Sequence, residues 1–391
     1  MRTTHPWWLA VRIVCAGGVA LAAICCTSPG GRSEAAETPA PAPAPGAARD
    51  AGRPMRAKAK ELLAALARLP DQREHHLVIG QNIGAAGGAE DGYRSYIEEP
   101  ASRFGGRRPL LVGVDYGWDR IDAGEIARAN RLLIEHWNKG GLVTVAMHPG
   151  NPCVEGGTVQ GLDGIDLGAV LTAGTDANRR WMAVLSTVAD GLDELRRAGV
   201  VVLWRPLHEM NGGWFWWGSD RQGVWTDSKE YAALWRHCHR YLTTERKLDN
   251  LLWVYAPNAK LDDHTRPVAA YYPGGDVVDL VGYDCYTDDI GREVWDANGS
   301  YRDLIALGKP FAVTELGPGT KQRGAFDNQA AIANLLATCP RTCFVMYWHG
   351  WTERRLLGKR YMSMALSDNP KAAEVMAQSN VRTLTDGRPK P

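Results

Sequence analysis

Eight short apolar runs alternate with helical patterns between residues 75 and 351, and this alternation limits the folds open to the chain more than any other feature. Helix-like stretches such as Arg180–Ala198 and Ser228–Lys247 separate the runs. Strands that alternate with helices build parallel sheets. Eight repeats therefore predict an α/β fold, a closed (β/α)8 barrel, in preference to an open doubly wound sheet. The runs are HLVIG, PLLVGVD, LVTVAMH, VVLWRPLHE, LLWVYAPN, VDLVGYDCY, PFAVTELG and CFVMYWHG.

The N-terminal segment has the pattern of an export signal. Basic residues flank an apolar run, Ile13–Cys26, that is too short to remain as a membrane-spanning helix. Cys25 and Cys26 leave a lipid anchor open as an alternative, although Ile24 stands where such a motif takes a small residue. We therefore expect an exported protein, either secreted or held at the cell envelope, with no membrane span.

A Pro/Ala-rich tract, ETPAPAPAPGAARDAG, follows at residues 37–52. Such a tract cannot bury a core and predicts an extended spacer. The sequence is thus divided into a signal segment at residues 1–30, a linker at 31–54 and a single barrel domain at 55–391. A length of 391 residues suits this arrangement. Residues 365–391 are expected to add a short helix and a polar tail.

Charge and motif content argue against several kinds of partner. A formal net charge of +1 favours neither nucleic acid nor an anionic membrane surface. No glycine-rich nucleotide-binding motif opens a helix. Five cysteines follow the signal segment; those of CPRTC, residues 339–343, could close a short disulfide, and no His/Cys cluster has metal-site spacing. We expect no metal, no cofactor and a monomer.

Polar residues stand at the ends of the predicted strands. The carboxyl ends of barrel strands meet at one mouth, whereas the opposite end serves stability. A single such residue could equally be a helix cap or a loop contact, but together they predict a common, solvent-facing cleft. They are Asp115, His148, His208, Glu209, Asn258, Asp284, Tyr286, Glu315, Trp348 and His349.

An aromatic loop, WRPLHEMNGGWFWWG at residues 204–218, follows the fourth run. Asn211 and the two glycines after it are turn formers, which places the aromatics on a loop. Trp outnumbers Phe by 15 to 5, and this excess suggests that many indoles serve a surface rather than a core. Flat indole faces on a loop suit a sugar ring.

Two carboxylates, Glu209 and Glu315, directly follow apolar strands four and seven. An acid in this position carries a desolvation cost unless it is paired or functional. Glycoside hydrolysis uses two carboxyl groups across the scissile bond, and these two strands lie on opposite sides of the barrel mouth. The pair therefore predicts a glycosidase site, with a structural, paired glutamate as the alternative for either residue.

Several motifs resemble glycoside hydrolase family 26, whose best-known members are endo-β-1,4-mannanases. RPLHEMNGGWFWWG, residues 205–218, resembles the family's acid/base motif, and AVTELG, residues 312–317, resembles its nucleophile strand. MHPGNP at 147–152, VGYDCY at 281–286 and MYWHG at 346–350 are similar to its third-, sixth- and eighth-strand motifs. The likeness extends through the predicted barrel domain.

The resemblance implies a retaining double displacement on a polysaccharide of the mannan class. Glu315 would be the nucleophile and Glu209 the acid/base, while His208 would lie near the 2-hydroxyl of the sugar being cleaved. Arg205 is expected to orient a carboxylate, and Tyr286 to hydrogen-bond Glu315. The substrate-binding candidates are His148, His208, Trp214, Asp284, Tyr286 and Trp348; Trp214 and Trp348 are the predicted stacking surfaces, with Trp216 and Trp217 behind the loop.

Two alternatives stay open at this point. Related members of the family act on β-1,3-xylan or mixed-linkage β-glucan with a very similar motif. An inert barrel that binds polysaccharide through its tryptophans is a second alternative, but such a protein would be marked by loss of Glu209 or Glu315, and both are present.

Overall fold

The computed structural model describes residues 55–72, 77–218, 225–262, 264–319, 321–355 and 358–390. The predicted signal segment and linker lie outside these ranges. Eight parallel strands close into a barrel in chain order, with β8 paired back to β1, so the predicted (β/α)8 barrel is confirmed. The strands are β1 Leu77–Ala85, β2 Leu111–Asp119, β3 Leu142–Pro149, β4 Val202–Arg205, β5 Leu251–Tyr255, β6 Leu280–Thr287, β7 Phe311–Pro318 and β8 Thr342–Tyr347.

Each of the eight apolar runs coincides with one of these strands. Every residue of β3, β5 and β7 is buried. Strands covered on both faces, by the barrel interior and by the outer helices, need apolar side chains in both directions. This is why the runs in the sequence are continuous rather than alternating.

The helices pack around the barrel through one apolar stripe each. In Asp176–Arg197, the buried residues Trp181, Leu185, Val188 and Leu192 recur every three or four positions. Its first turn is capped by Thr175, whose side chain accepts a hydrogen bond from the backbone N–H of Asn178. The α-helices are Met55–Arg68, Ala89–Tyr93, Ala123–Asn138, Leu167–Leu171, Asp176–Arg197, Ser228–His239, Ser300–Ile305, Asn328–Thr338 and Ala372–Ala377.

The C-terminal region adds two features to the barrel. An antiparallel hairpin, β9 Gly350–Arg355 and β10 Gly358–Ser363, follows β8 at the barrel mouth. After the short helix Ala372–Ala377, β11 Val381–Arg382 pairs with the first residues of β1. The expected polar tail therefore also contributes a strand at the opposite end of the barrel.

The tryptophans contradict the expectation drawn from their number. Most of those in the described residues are buried, among them Trp181, Trp204, Trp235 and Trp253. Among the described tryptophans, only Trp214 and Trp225 are half-buried, and only Trp118 and Trp351 are exposed. The indoles mainly fill the layer between barrel and helices, because their large apolar area rewards burial.

Two further findings concern the cysteines and the membrane. Cys339 and Cys343 are buried free thiols rather than a disulfide. Among the described helices, none combines the length and the apolar character needed to cross a bilayer.

Candidate active site

The predicted site residues gather at the carboxyl end of the barrel and contact one another. His208 Nε2 lies 4.0 Å from Glu315 Oε1, and the His148 and His208 rings are 4.4 Å apart. Trp348 packs in a small apolar cluster with Tyr286. Trp214 and Asp284 join the same group through hydrogen bonds with Glu209 and Arg205, respectively.

Glu315, on β7, is surrounded by hydrogen-bond donors. Arg205 Nη2 donates to Glu315 Oε1, and the Tyr286 hydroxyl donates to Oε2. The hydrogen bonds expected from Arg205 and Tyr286 are thus both present. Glu315 is only 4% exposed, so the expected solvent-facing position is wrong. Two donors on a buried carboxylate fix its direction.

Arg205 links Glu315 to Asp284 beneath the cleft. Its Nη1 donates to Asp284 Oδ2 at 2.9 Å, and the Thr314 hydroxyl donates to Asp284 Oδ1 at 2.6 Å. Burial lowers the pKa of Arg205, but the carboxylates of Asp284 and Glu315 outweigh it, and the net pKa is raised. Arg205 therefore stays charged, and Asp284, with no exposed surface, serves to hold it.

One group among the described residues has donor atoms close enough to hold a metal ion. The ligand atoms of His208, Asp284 and Glu315 lie within 4.8 Å of one another. The guanidinium of Arg205, however, already donates to both carboxylates. The positive charge between these two carboxylates is therefore supplied by Arg205.

Glu209 has a different environment from that of Glu315. Trp214 Nε1 donates to its Oε2 at 2.7 Å, and Asn258 Nδ2 donates to its Oε1 at 3.1 Å. Burial and the charge of Glu315 raise the pKa of Glu209 to about 7, against the smaller opposing effects of these hydrogen bonds and of Arg205. Near neutral pH, Glu209 can therefore both give and take a proton.

The backbone that positions Glu209 is strained. Strand β4 ends at Arg205, and Leu207 and Glu209 have φ values of 49° and 53°, a left-handed region that non-glycine residues rarely adopt. The Glu209 N–H donates to Ala256 O at 2.8 Å, and the Tyr231 hydroxyl donates to Leu207 O at 2.9 Å. Strain held by such contacts is typical of functional sites.

The aromatic loop supports this backbone from behind. Trp217 Nε1 donates to His208 O at 2.8 Å, and Trp216 Nε1 donates to Pro149 O at 2.9 Å. Both indoles are fully buried. Trp214 is the half-buried member, and a Cβ at position 212 would lie 2.0 Å from its ring. Gly212 is thus required for the indole to reach Glu209.

His148 and His208 are buried among aromatic side chains. Burial, with added repulsion from Arg205 and His148, lowers the pKa of His208 well below its usual range, so its imidazole is neutral. His148 Nδ1 is hydrogen-bonded to Asp115 Oδ2. Phe215 packs edge-on against both rings, with centroids 5.1 Å and 5.7 Å away.

Three residues that were not candidates for catalysis or substrate binding form hydrogen bonds with residues at the barrel mouth. Asp115 and Asn258 stand at predicted strand ends, but their pairing with His148 and Glu209 has no local signal in the sequence. Asn82 accepts a hydrogen bond at 2.7 Å from His349 Nδ1, which is the donor if Nε2 is unprotonated. The signal for Asn82 is its position two residues after the first apolar run, HLVIG.

Comparisons with known proteins agree with this geometry. The model of glycosyl hydrolase family 26 matches residues 54–361. A mannan endo-1,4-beta-mannosidase A and B of Caldalkalibacillus mannanilyticus is 37% identical over 304 residues, 74% of this chain and 56% of that protein. A mannan endo-1,4-beta-mannosidase of Bacillus subtilis is 36% identical over 298 residues, 74% of this chain and 79% of that protein.

A solved structure shares the fold over most of its length. The structure of Bacillus subtilis mannanase man26 superposes with a TM-score of 0.69 at 31% identity, and covers 85% of this chain and 92% of that one. The family model spans well over half of the sequence, and its range includes both glutamates with their partners at the barrel mouth. The chain therefore belongs to glycosyl hydrolase family 26.

Proposed function

We propose that the chain hydrolyses β-1,4-mannosidic bonds within mannan, glucomannan or galactomannan, with retention of configuration. The observation that carries the proposal is the contrast between two neighbouring carboxyl groups. Glu209 has its pKa raised to about 7, whereas Glu315 accepts hydrogen bonds from Arg205 and Tyr286. Paired carboxyls in opposite environments supply an acid and a nucleophile. The names of the relatives support mannan as substrate.

In the first step, a Glu315 oxygen attacks the anomeric carbon as the glycosidic C–O bond breaks. Glu209 transfers its proton to the departing oxygen, and the products are a glycosyl ester on Glu315 and the shortened chain. Arg205 and Tyr286 hold the attacking carboxylate in one orientation, which lowers the entropic cost of the attack.

In the second step, Glu209 acts as a base. Esterification removes the negative charge of Glu315, and this charge is second only to burial in raising the pKa of Glu209. The pKa of Glu209 therefore falls once the ester forms. Its carboxylate takes a proton from water, the water oxygen attacks the anomeric carbon, and Glu315 leaves as the carboxylate.

We assign substrate binding to His148, His208, Trp214 and Trp348, and positioning of Glu315 to Tyr286 and, through Arg205, to Asp284. The neutral imidazole of His208 beside Glu209 suits the axial 2-hydroxyl that distinguishes mannose from glucose. A site with a polar group dedicated to one hydroxyl discriminates against the epimer, because the wrong sugar leaves that group unpaired.

Rates on different polysaccharides test the substrate assignment. We expect initial reducing-sugar rates on β-1,4-mannan to exceed those on β-1,3-xylan, mixed-linkage β-glucan and cellulose by at least about 100-fold. A higher rate on one of the other polymers would reject mannan and leave the two glutamates in place. Binding to mannan without release of reducing ends would favour the inert, polysaccharide-binding barrel.

Trp214→Phe tests the hydrogen bond to Glu209. The variant keeps a ring over Gly212 but removes the Nε1 donor, which lowers the pKa of Glu209 in the native site. The pKa should therefore rise, and the basic limb of the kcat/KM profile should move to higher pH. Because only one hydrogen bond is lost, kcat/KM at the optimum should fall by about tenfold or less.

Trp214→Ala completes this comparison. The basic limb should move in the same direction as in the phenylalanine variant. If the indole face also stacks on sugar, kcat/KM on mannan should fall by a further ten- to hundredfold or so. A limb that stays in place in both variants would remove Trp214 from the control of Glu209.

We also propose that residues 1–30 direct the enzyme out of the cytoplasm and that residues 31–54 act as a spacer. The support is the apolar run flanked by basic residues and the Pro/Ala tract that follows it. A polymeric substrate that cannot enter the cell requires such a location.

A further inference from the structure

Trp118, at the end of β2, projects an indole into solvent beside the active site. It is 45% exposed, which is unusual for a residue with so large an apolar area. Among the large apolar side chains of the described residues, only Tyr361 exceeds it in exposure. Such exposure at the rim of a sugar-binding cleft needs an explanation.

One face of the Trp118 indole is already covered by the site. The His148 ring lies 4.2 Å away at 32° to the indole plane, and the Phe215 ring meets it edge-on at 6.3 Å. His148 is itself tied to Asp115 through its Nδ1. The indole therefore rests on a fixed, buried ring, and its opposite face is the one available to a ligand.

The backbone around Trp118 is built to hold this position. A Cβ on Gly117 would lie 2.2 Å from Arg120 O, and Asp119 has a φ of 63°. The carboxylate of Asp119 accepts a hydrogen bond at 2.6 Å from the backbone N–H of Val159, which ties β2 to the loop after β3. A strained, anchored bulge that presents an indole to solvent is a preorganised surface.

The position of Trp118 relative to the nucleophile defines its ligand. His208 lies 4.0 Å from Glu315, His148 follows at 4.4 Å from His208, and Trp118 comes next. The imidazole rings of His208 and His148 thus lie between the indole and the Glu315 carboxylate. The indole is therefore placed for a sugar further along the chain rather than for the one bonded to Glu315.

We propose that the free face of Trp118 is a stacking platform for a hexose unit remote from the scissile bond. This inference rests on the proposed function for the identity of the sugar. It assigns to the enzyme a binding site that short substrates do not occupy, and therefore a rate that rises with chain length.

The experiment compares wild type with Trp118→Ala on mannohexaose and on an activated aryl β-mannoside, which carries no sugar beyond the one that reacts with Glu315. We expect kcat/KM on mannohexaose to fall by about ten- to hundredfold and kcat/KM on the short substrate to change by less than about twofold. Trp118→Phe should recover part of the loss. Val154→Ala, at another exposed apolar residue in the loop after β3, should match wild type on both substrates.

Equal losses on both substrates, or no loss on either, would overturn the platform. Calorimetric binding of mannohexaose to the Glu315→Ala protein, with and without Trp118→Ala, separates this outcome from failure of the proposed reaction. A wild type that cleaves neither substrate would reject the function. The platform would still stand if Trp118→Ala weakened hexaose binding about tenfold, and would fall if binding were unchanged.

Discussion

Glu315→Ala should lower kcat/KM on polymeric mannan by roughly 10⁶-fold, the scale found when a covalent nucleophile is deleted from another hydrolase. The reason is that no other described carboxylate receives hydrogen bonds from both Arg205 and Tyr286. Arg205 keeps its bond to Asp284 in the variant, so the buried guanidinium is not left unpaired. We expect a loss of stability of only about 1–3 kcal/mol.

Rescue of Glu315→Ala by azide tests specifically whether Glu315 is the nucleophile. The truncated side chain leaves room for a small anion beside Arg205, which can attack an activated aryl β-mannoside from the side that Glu315 uses. The product should be the α-mannosyl azide, because a single displacement inverts the configuration. Glu293→Ala, at an exposed carboxylate, serves as the control and should neither lose activity nor respond to azide.

Thermal denaturation will show whether the Glu315→Ala protein is folded. If the protein is folded and inactive but gives no glycosyl azide, the result would count against the nucleophile role. Retained activity on mannan would do so more directly. Either result would turn attention to Asp284, the other carboxylate bonded to Arg205.

The barrel itself can be predicted from the sequence for a simple reason. Its strands are buried on both faces, so each is a continuous apolar run, and the polar residue that ends a run lies at the mouth. The same reasoning brings Glu209 and Glu315 to one cleft without knowledge of any contact between them. Strand order and strand ends thus carry most of the positional information about this site.

Pairings across the mouth cannot be obtained in this way. Asp115 and His148 meet because β2 contains a register shift between Asp115 and Trp118, and nothing local in the sequence marks that bulge. The hydrogen bond from Asn258 to Glu209 likewise depends on how far two neighbouring loops extend. Such contacts are set by tertiary packing, and a one-residue change in register would remove them.

The number of tryptophans in the sequence did not predict where they lie in the structure. Backbone carbonyls accept the indole N–H of Trp216 and Trp217, whereas the N–H groups of Trp181, Trp204 and Trp253 are buried without a hydrogen-bond partner among the described residues. The large apolar area of the ring favours burial in both cases. An excess of Trp over Phe therefore does not by itself indicate a ligand-binding surface.

Glu209→Ala should have a second large effect, but of a different kind. On polymeric mannan the loss should be about 10²- to 10⁴-fold, the usual contribution of a general acid. On a dinitrophenyl β-mannoside, whose leaving group needs no proton, the first step should proceed at a rate near that of wild type. The ester on Glu315 should then accumulate, because no base activates water, and a burst of dinitrophenol should precede slow turnover.

The pH profile gives an independent measure of the same residue. In wild type, kcat/KM on mannan should fall as pH rises through about 7, because the protonated form of Glu209 is lost there. In Glu209→Ala this basic limb should disappear from the residual kcat/KM on mannan. A variant that keeps an unchanged bell-shaped profile would show that another group is the acid.

The configuration of the azide product distinguishes the roles of the two glutamates. In Glu209→Ala it should attack the ester on Glu315, and two successive displacements then give the β-mannosyl azide, whereas Glu315→Ala should give the α-anomer. The two variants differ in which carboxyl group is absent, so the configuration of the product reports which step azide has entered. The same anomer from both variants would mean that the roles of Glu209 and Glu315 are not those of acid/base and nucleophile, whatever the size of the activity losses.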